Sequence, residues 1–336
     1  MTDALRSIPI EKYLAEPLVV EEPDVSGPLA VFPLLGPPPT QHYVSFAEGR
    51  SRGVLIEELS ARASVNDLVI QNPSPEAVLL YEGEEVLGAQ QNRTFDVTVL
   101  VAAGVDLRVP VSCVERGRWD HSRHAEQFAP APQATYPELR RQKNRHARAE
   151  VAAGREARAD QSLVWEDIDV KSARPGVRSA TSAMHDLYEG RRGALSKLTG
   201  AVRRRDGQLG ALVAIDGRFA ILDFVSRADV FAAFHGPLVQ GYALDALEFM
   251  GAEAESPSLS TEDAHGFVSA VTRSVASRHE PVGLGHDLRF GADGVGGSAL
   301  VHEDELIQLT AFPDSGRTDA ADALTGRIHR PSRRRA

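Results

Sequence analysis

Two polar runs carry the residue types that could do chemistry. They are Glu82-Gly83-Glu84 through Gln90-Gln91-Asn92-Arg93, and Cys113-Val114-Glu115-Arg116-Gly117-Arg118-Trp119, on either side of an apolar strand pair. Carboxylates, amides and guanidinium groups set between β-branched runs are costly to bury unless they pair or bind something. Arg93 and Arg118 offer planar forks for phosphate or carboxylate, while Gln90, Gln91 and Asn92 can read a polyol or an amide. Glu82, Glu84 and Glu115 can polarise a hydroxyl, activate water or help hold a divalent ion. Gly83 and Gly88 suggest tight turns that let backbone approach a ligand. An internal ion pair such as Arg93 with Glu115 would equally fix strand register with no ligand.

Other chemistries find less support. His121, His124 and Glu126 form an H-x-x-H-x-E cluster able to supply three N/O metal ligands, but the preceding strands add only His42, and surface histidines explain the pattern as well. Cys113 has a cationic neighbour in Arg118, which favours a thiolate. Its place in the apolar run Val109 to Val114 favours a small core residue instead. The glycine clusters at Gly283-x-Gly285 and Gly294-x-Gly296-Gly297 come late and precede no clear helix, so they read as turns rather than a dinucleotide loop. A phosphate-cradling Walker loop, a G-x-S-x-G elbow and an HExxH helix are absent, and no motif names a cofactor.

Composition sets the frame for those residues. At 336 residues, 42% hydrophobic and 25% charged, the chain is globular and long enough for a substantial core. A formal charge of −10 argues against non-specific nucleic-acid binding. One cysteine, no secretory signal and no apolar run of membrane-spanning length point to a cytoplasmic protein.

The elements that must position the polar runs are short strands, rich in Val, Leu and aromatics and bounded by Gly, Pro, Asn or Asp. They run from Leu18 through Thr94 to Val101 and Leu107 to Val114, and a sandwich or partly closed barrel accommodates them best. Gln127 to Gln133 reads as a loop. Pro137 to Ala159 is rich in Arg, with few large apolar residues, and reads as a solvated helix or loop with phosphate binding as the functional alternative. Helices follow near Ser162 to Lys171 and Met184 to Leu198, with a break at Arg191. Asp216-Gly217 between apolar runs predicts a type I′ hairpin. Ser226 to Asp229 resembles a capping box, another helix starts near Ser260, and a last hairpin joins Ala299–Val301 to Leu306–Leu309. The predicted fold is α+β, an N-terminal antiparallel β-rich sandwich or partly closed barrel followed by helices with additional hairpins. Residues 1–17 form an arm, 18–313 one domain (β-rich to about 125, Arg-rich connector 134–160, helical and hairpin part 161–313), and 314–336 a disordered basic tail.

The runs E-G-E-x-x-x-G-x-x-Q-N-R and V-x-C-V-E-x-G-R-W, then Q-S-x-V-W and S-A-T-S-A-M, resemble the ARG and rhodanese-phosphatase superfamily-associated protein domain family, where ARG denotes ADP-ribosylglycohydrolase. The likeness extends from about Leu18 to Phe312. It implies a role near NAD or ADP-ribose metabolism, with Glu82, Gln91, Asn92, Arg93, Cys113, Glu115, Arg118 and Trp119 matching the motifs, and Gln161, Trp165, Ser179 and Thr181 forming a weaker second set. On that basis Arg93 and Arg118 are expected to contact phosphate, Gln91 and Asn92 ribose hydroxyls, and Trp119 a base or sugar. Glu82 or Glu115 is then the general base or a metal ligand. The expected ligand is ADP-ribose or a related phosphorylated nucleotide sugar, bound or processed. The alternative is a non-enzymatic scaffold or regulatory module with a protein partner.

Overall fold

Strands from both ends of the chain meet in one sheet. The structure, a computed structural model, describes residues 8–59, 64–118, 121–123, 126–173, 181–251, 258–292 and 294–314. Ile8–Pro9, Val275–His279, His286–Ala292, Val295–His302, Glu305–Pro313, Arg218–Val225, Gly210–Ile215, Leu29–Leu35 and Val19–Val20 lie side by side in that order, and Asp24–Ser26 also pairs with Leu29–Leu35. A six-stranded sheet follows the order Ala129–Ala134, Glu84–Leu87, Arg93–Phe95, Val105–Cys113, Asp67–Asn72, Leu55–Glu57, and a three-stranded one Val99–Val101, Ala77–Leu80, Tyr43–Ser45. The fold is α+β with a β-rich N-terminal region, as the strand spacing predicts.

Period-two alternation explains why the large sheet is covered on both faces. Leu29, Val31, Ala211, Val213, Ile221 and Val225 point to one core, closed by Phe231, Phe234, Leu238 and Tyr242 of the helix Ala228–Ala246. Phe32, Leu34, Leu212, Leu222 and Phe224 point to the other, closed by Val268 and Val271 of the helix Thr261–Arg273. A third core lies within the smaller sheets, around Ile56, Leu68, Val78, Phe95 and Val111.

Local signals hold where the chemistry is short-range. Asp216 and Gly217 take φ of 50° and 70° between paired strands, as a type I′ turn requires. Ser260 caps its helix in a reciprocal box with Asp263. Three expectations need correction. Thr94 to Val101 is not one strand: Arg93–Phe95 joins the six-stranded sheet and Val99–Val101 the three-stranded one, so the chain changes sheets at Asp96 to Thr98. Ala129–Ala134 is not a loop but an edge strand, where Pro130 and Pro132 are tolerated because an edge does not need every N–H. Ser226 caps nothing. The helix begins after Arg227 without a side-chain cap, and the Ser226 hydroxyl lies 2.9 Å from Tyr43 Oη.

The largest correction concerns the Arg-rich stretch. Pro137–Ala152 is a helix, but its Arg140, Lys143 and Asn144 are buried rather than solvated. Pro137 opens it, and Asp245 from another helix accepts the Glu138 N–H at 2.9 Å, so the N-terminal cap is tertiary. This helix ties the sheets together: Asn144 donates to Ser298 of the large sheet, and Lys143 donates to the Phe95 carbonyl of the six-stranded one. Among the described residues, no helix is long and apolar enough to cross a membrane.

Candidate functional site

The first polar run begins in a sealed charge cluster. Arg140 is 0% exposed and grips Asp223 with two hydrogen bonds, at 2.8 and 2.7 Å. Glu82 lies 3.2 Å from the same guanidinium. Tyr81 and Tyr242 each donate to Asp223 at 2.6 Å, and the Tyr81 ring lies under the Arg140 cation. Burial opposes the Arg140 charge, but Asp223 and Glu82 outweigh it and hold the group protonated. Gly83 is part of the packing: its φ is 85°, and a Cβ there would come within 2.5 Å of Arg140 Nε. Beside it Lys143 lies 3.3 Å from Asp96, whose other oxygen accepts the Ala159 N–H. Glu82 thus sits in the interior, 2% exposed, with partners distinct from those of Glu115.

Around Glu115, four stretches distant in sequence converge. Asn92 and Glu115 are tied by the Asn92 N–H to the carboxylate, 3.2 Å, and Gln91 donates to the Glu115 carbonyl. Arg118 lies 2.6 Å from Glu115 and donates to the Asn92 side chain and the Ala89 carbonyl. From the second motif set, Thr181 donates to the other Glu115 oxygen at 3.1 Å, and Gln161 brackets Cys113 through both its N–H and its carbonyl. Gly117 donates its N–H to the Thr181 carbonyl, and a Cβ at Gly117 would meet Thr181 Cα at 2.7 Å. The glycine in C-V-E-x-G-R is therefore required by close approach.

Asn92, Glu115 and Arg118 line an open cleft of about 410 Å³, together with Gly88, Arg123, Glu126 and His185. That volume falls within the range of small-molecule sites. The cleft pairs its charges internally: Arg118 with Glu115, and Arg123 with Glu126 at 2.6 Å.

Arg93 does not reach this cleft. It is fully buried, 3.5 Å from Glu58, and donates to Gln91 and to the Asn92 carbonyl. Gln91 is held between Arg93, the Cys113 thiol and Glu115, so it shapes the cleft wall from behind. The Cys113 thiol is buried, and burial pushes its pKa up, which disfavours the thiolate. Trp119, His124 and Ser179 lie outside the described residues, as does the tail from 315. Among the described residues, no group of three or more His, Cys, Asp or Glu is arranged to hold a metal.

Sequence reading passed over Glu85, Gln133 and His185. Glu85 is 0% exposed, beside Gln133, and burial pushes its carboxyl up to about 8. Glu84, its neighbour on the opposite strand face, is also pushed up to about 8 by burial and accepts one hydrogen bond, from the Tyr81 N–H. The third acid in E-G-E-E was the available signal for Glu85. Nothing in the loop-like stretch before Ala134 marked Gln133.

The converging motifs have a counterpart among known sequences. The profile of the ARG and Rhodanese-Phosphatase-superfamily-associated Protein domain matches residues 17–312. The chain belongs to that family. Its match covers the three sheets' site-bearing strands, the helix of Arg140 and the cleft alike. No curated protein and no solved structure matches the chain significantly.

Proposed function

We propose that the cleft at Asn92, Glu115 and Arg118 binds ADP-ribose or a related phosphorylated nucleotide sugar. The observation that carries this reading is the meeting of Asn92, Glu115 and Arg118 of the first motif set on one open polar cleft, with Thr181 of the second set bonded to Glu115. Membership of a family named for its association with ARG proteins supports the ligand class. Arg118, with Arg123 across the cleft, meets the phosphates, Asn92 meets ribose hydroxyls, and Glu115 serves as general base if the bound sugar is hydrolysed. Arg93 and Gln91 act as supports for these groups, and Glu82 as part of the interior cluster.

The rival reading, a non-enzymatic module, draws on complete burial of Arg93 and Arg140 with mutual pairing. A thermal-shift panel of ADP-ribose, its phosphates, NAD, plain sugars and divalent metals separates the two. Ligand at 100 times its dissociation constant stabilises a fold by about 2.7 kcal/mol. A selective rise with ADP-ribose compounds that is lost in Glu115→Gln supports the cleft. A flat panel with an intact melting transition favours the module, and partner capture follows.

A further inference from the structure

Behind the cleft, a buried carboxyl is connected to a cleft-lining imidazole through one amide. The Gln133 side-chain nitrogen donates to Glu85 Oε2 at 2.7 Å and lies 2.8 Å from His185 Nδ1. An amide nitrogen has two hydrogens and accepts nothing, so with one hydrogen on Glu85 the other must point at His185. Nδ1 is then the acceptor, and the neutral ring carries its proton on Nε2. Gln133 is 2% exposed and Glu85 0%, so both are fixed by packing, while His185 is half-buried and lines the cleft.

We infer that His185 is a binding residue of this cleft, presenting Nε2–H to an anionic oxygen of a phosphorylated ligand, and that Gln133 and Glu85 are positioning residues that fix its tautomer. The inference rests on the proposed reading of the cleft as a site for phosphorylated nucleotide sugars. It answers a difficulty in that reading. Arg118 and Arg123 are each paired with a carboxylate, so an anion entering the cleft must share cations that are already neutralised. A neutral donor held in place by the fold adds affinity without adding charge. Gln133 also explains a buried glutamate: among the described residues Glu85 has Glu115, Asp186 and Tyr188 as its charged or titratable neighbours, and its hydrogen bond from Gln133 is the favourable contact. Protonated or ionised, Glu85 accepts that bond, so the tautomer is held on both sides of its titration near pH 8.

Nitrogen NMR of ¹⁵N-histidine protein tests this, with the His185 signals assigned by their loss in His185→Gln. The wild type should show an Nε2–H ring with Nδ1 unprotonated. Gln133→Leu should release it to a mixture of tautomers. Glu85→Gln should keep it, because a glutamine carbonyl can still accept from Gln133. ADP-ribose and inorganic pyrophosphate should each move the Nε2 signal, and His185→Ala should weaken ADP-ribose binding about tenfold. An Nδ1–H or mixed tautomer in the wild type overturns the inference, as does an unchanged tautomer in Gln133→Leu. A fixed tautomer that answers pyrophosphate but not ADP-ribose upholds the donor and removes the ADP-ribose reading. One that answers neither probe overturns the inference, and ADP-ribose stabilisation of the fold alongside such silence leaves the cleft reading standing without His185.

Discussion

Arg140 and Arg118 are both arginines held by a carboxylate of the two polar runs, Glu82 and Glu115, yet they occupy opposite situations. Arg140 is sealed among Asp223, Glu82 and two tyrosine hydroxyls, fully buried and paired with two carboxylates. Arg118 faces an open cleft, its side chain 18% exposed, with one carboxylate partner that is itself on the cleft wall. The sealed cluster joins the helix of Arg140 to the large sheet and to the turn at Tyr81 and Glu82, and the open one joins four stretches of chain around a space. A dense polar motif is therefore two things at once: the part that closes the fold, and the part left over for a ligand. Burial tells them apart, and residue type does not.

The strongest test of the contrast is Arg140→Met. Removing one partner from a buried pair leaves Asp223 and Glu82 without the cation they share, and the expected loss is about 3–5 kcal/mol in urea unfolding. Adding Asp223→Asn and Glu82→Gln to that variant should recover part of the loss, since the remaining charges are then removed together. A loss under 1 kcal/mol would mean the cluster contributes little and the comparison is misdrawn. Arg93→Met comes next, at about 2–3 kcal/mol, because a buried ion pair with Glu58 is broken, though across a longer contact than that of Arg140 with Asp223. A stable Arg93→Met protein that no longer responds to ADP-ribose would move Arg93 from the sealed group to the open one.

These assignments show what the sequence could and could not reveal. The strands, the Asp216-Gly217 hairpin and the Ser260 cap were legible because each is decided by residues within a few positions of one another. Glu115, Arg118 and Asn92 were legible as polar residues crowded into apolar surroundings. The burial of Pro137–Ala152 was not, because its apolar content is low and its burial depends on Asp223, Glu82 and Asp96, which lie far away in sequence. A salt-bridged core helix and a solvated helix share one composition. Separating Arg93 from Arg118 was beyond reach for the same reason: each sits in a motif with glutamine and glutamate nearby, and only the paired strands put one behind the wall and the other on it. His185 directly follows the S-A-T-S-A-M run without being part of it, and Gln133 comes from a stretch with no motif of its own.

Glu84 gives a smaller effect whose sign is fixed by linkage. Its carboxyl is pushed up to about 8 by burial, from an ordinary value of 4.5. Between those two values the folded protein holds a proton that the unfolded chain has released. Stability contributed by this group is therefore lost as pH rises from about 4.5 to 8 and levels off above. Glu84→Gln removes this group's share of the dependence and leaves that of Glu85, so the variant should match wild type near pH 4.5 and gain on it steadily as pH rises to 8.5. Urea midpoints at the two pH values measure it, and equal differences at both would show that Glu84 titrates normally.

Arg118→Ala should have the smallest effect on the fold and the clearest on the cleft. The side chain is partly solvated, and Glu115 keeps hydrogen bonds from the Asn92 N–H and from Thr181 after its removal. A partly exposed ion pair of this kind contributes about 1 kcal/mol or less. The melting transition should therefore stay near that of the wild type, whereas stabilisation by ADP-ribose should disappear. The reverse pattern, a large loss of stability with ligand response kept per folded molecule, would make Arg118 a smaller copy of Arg140. The distinction between a sealed and an open cluster would then fail at the residue that defines it.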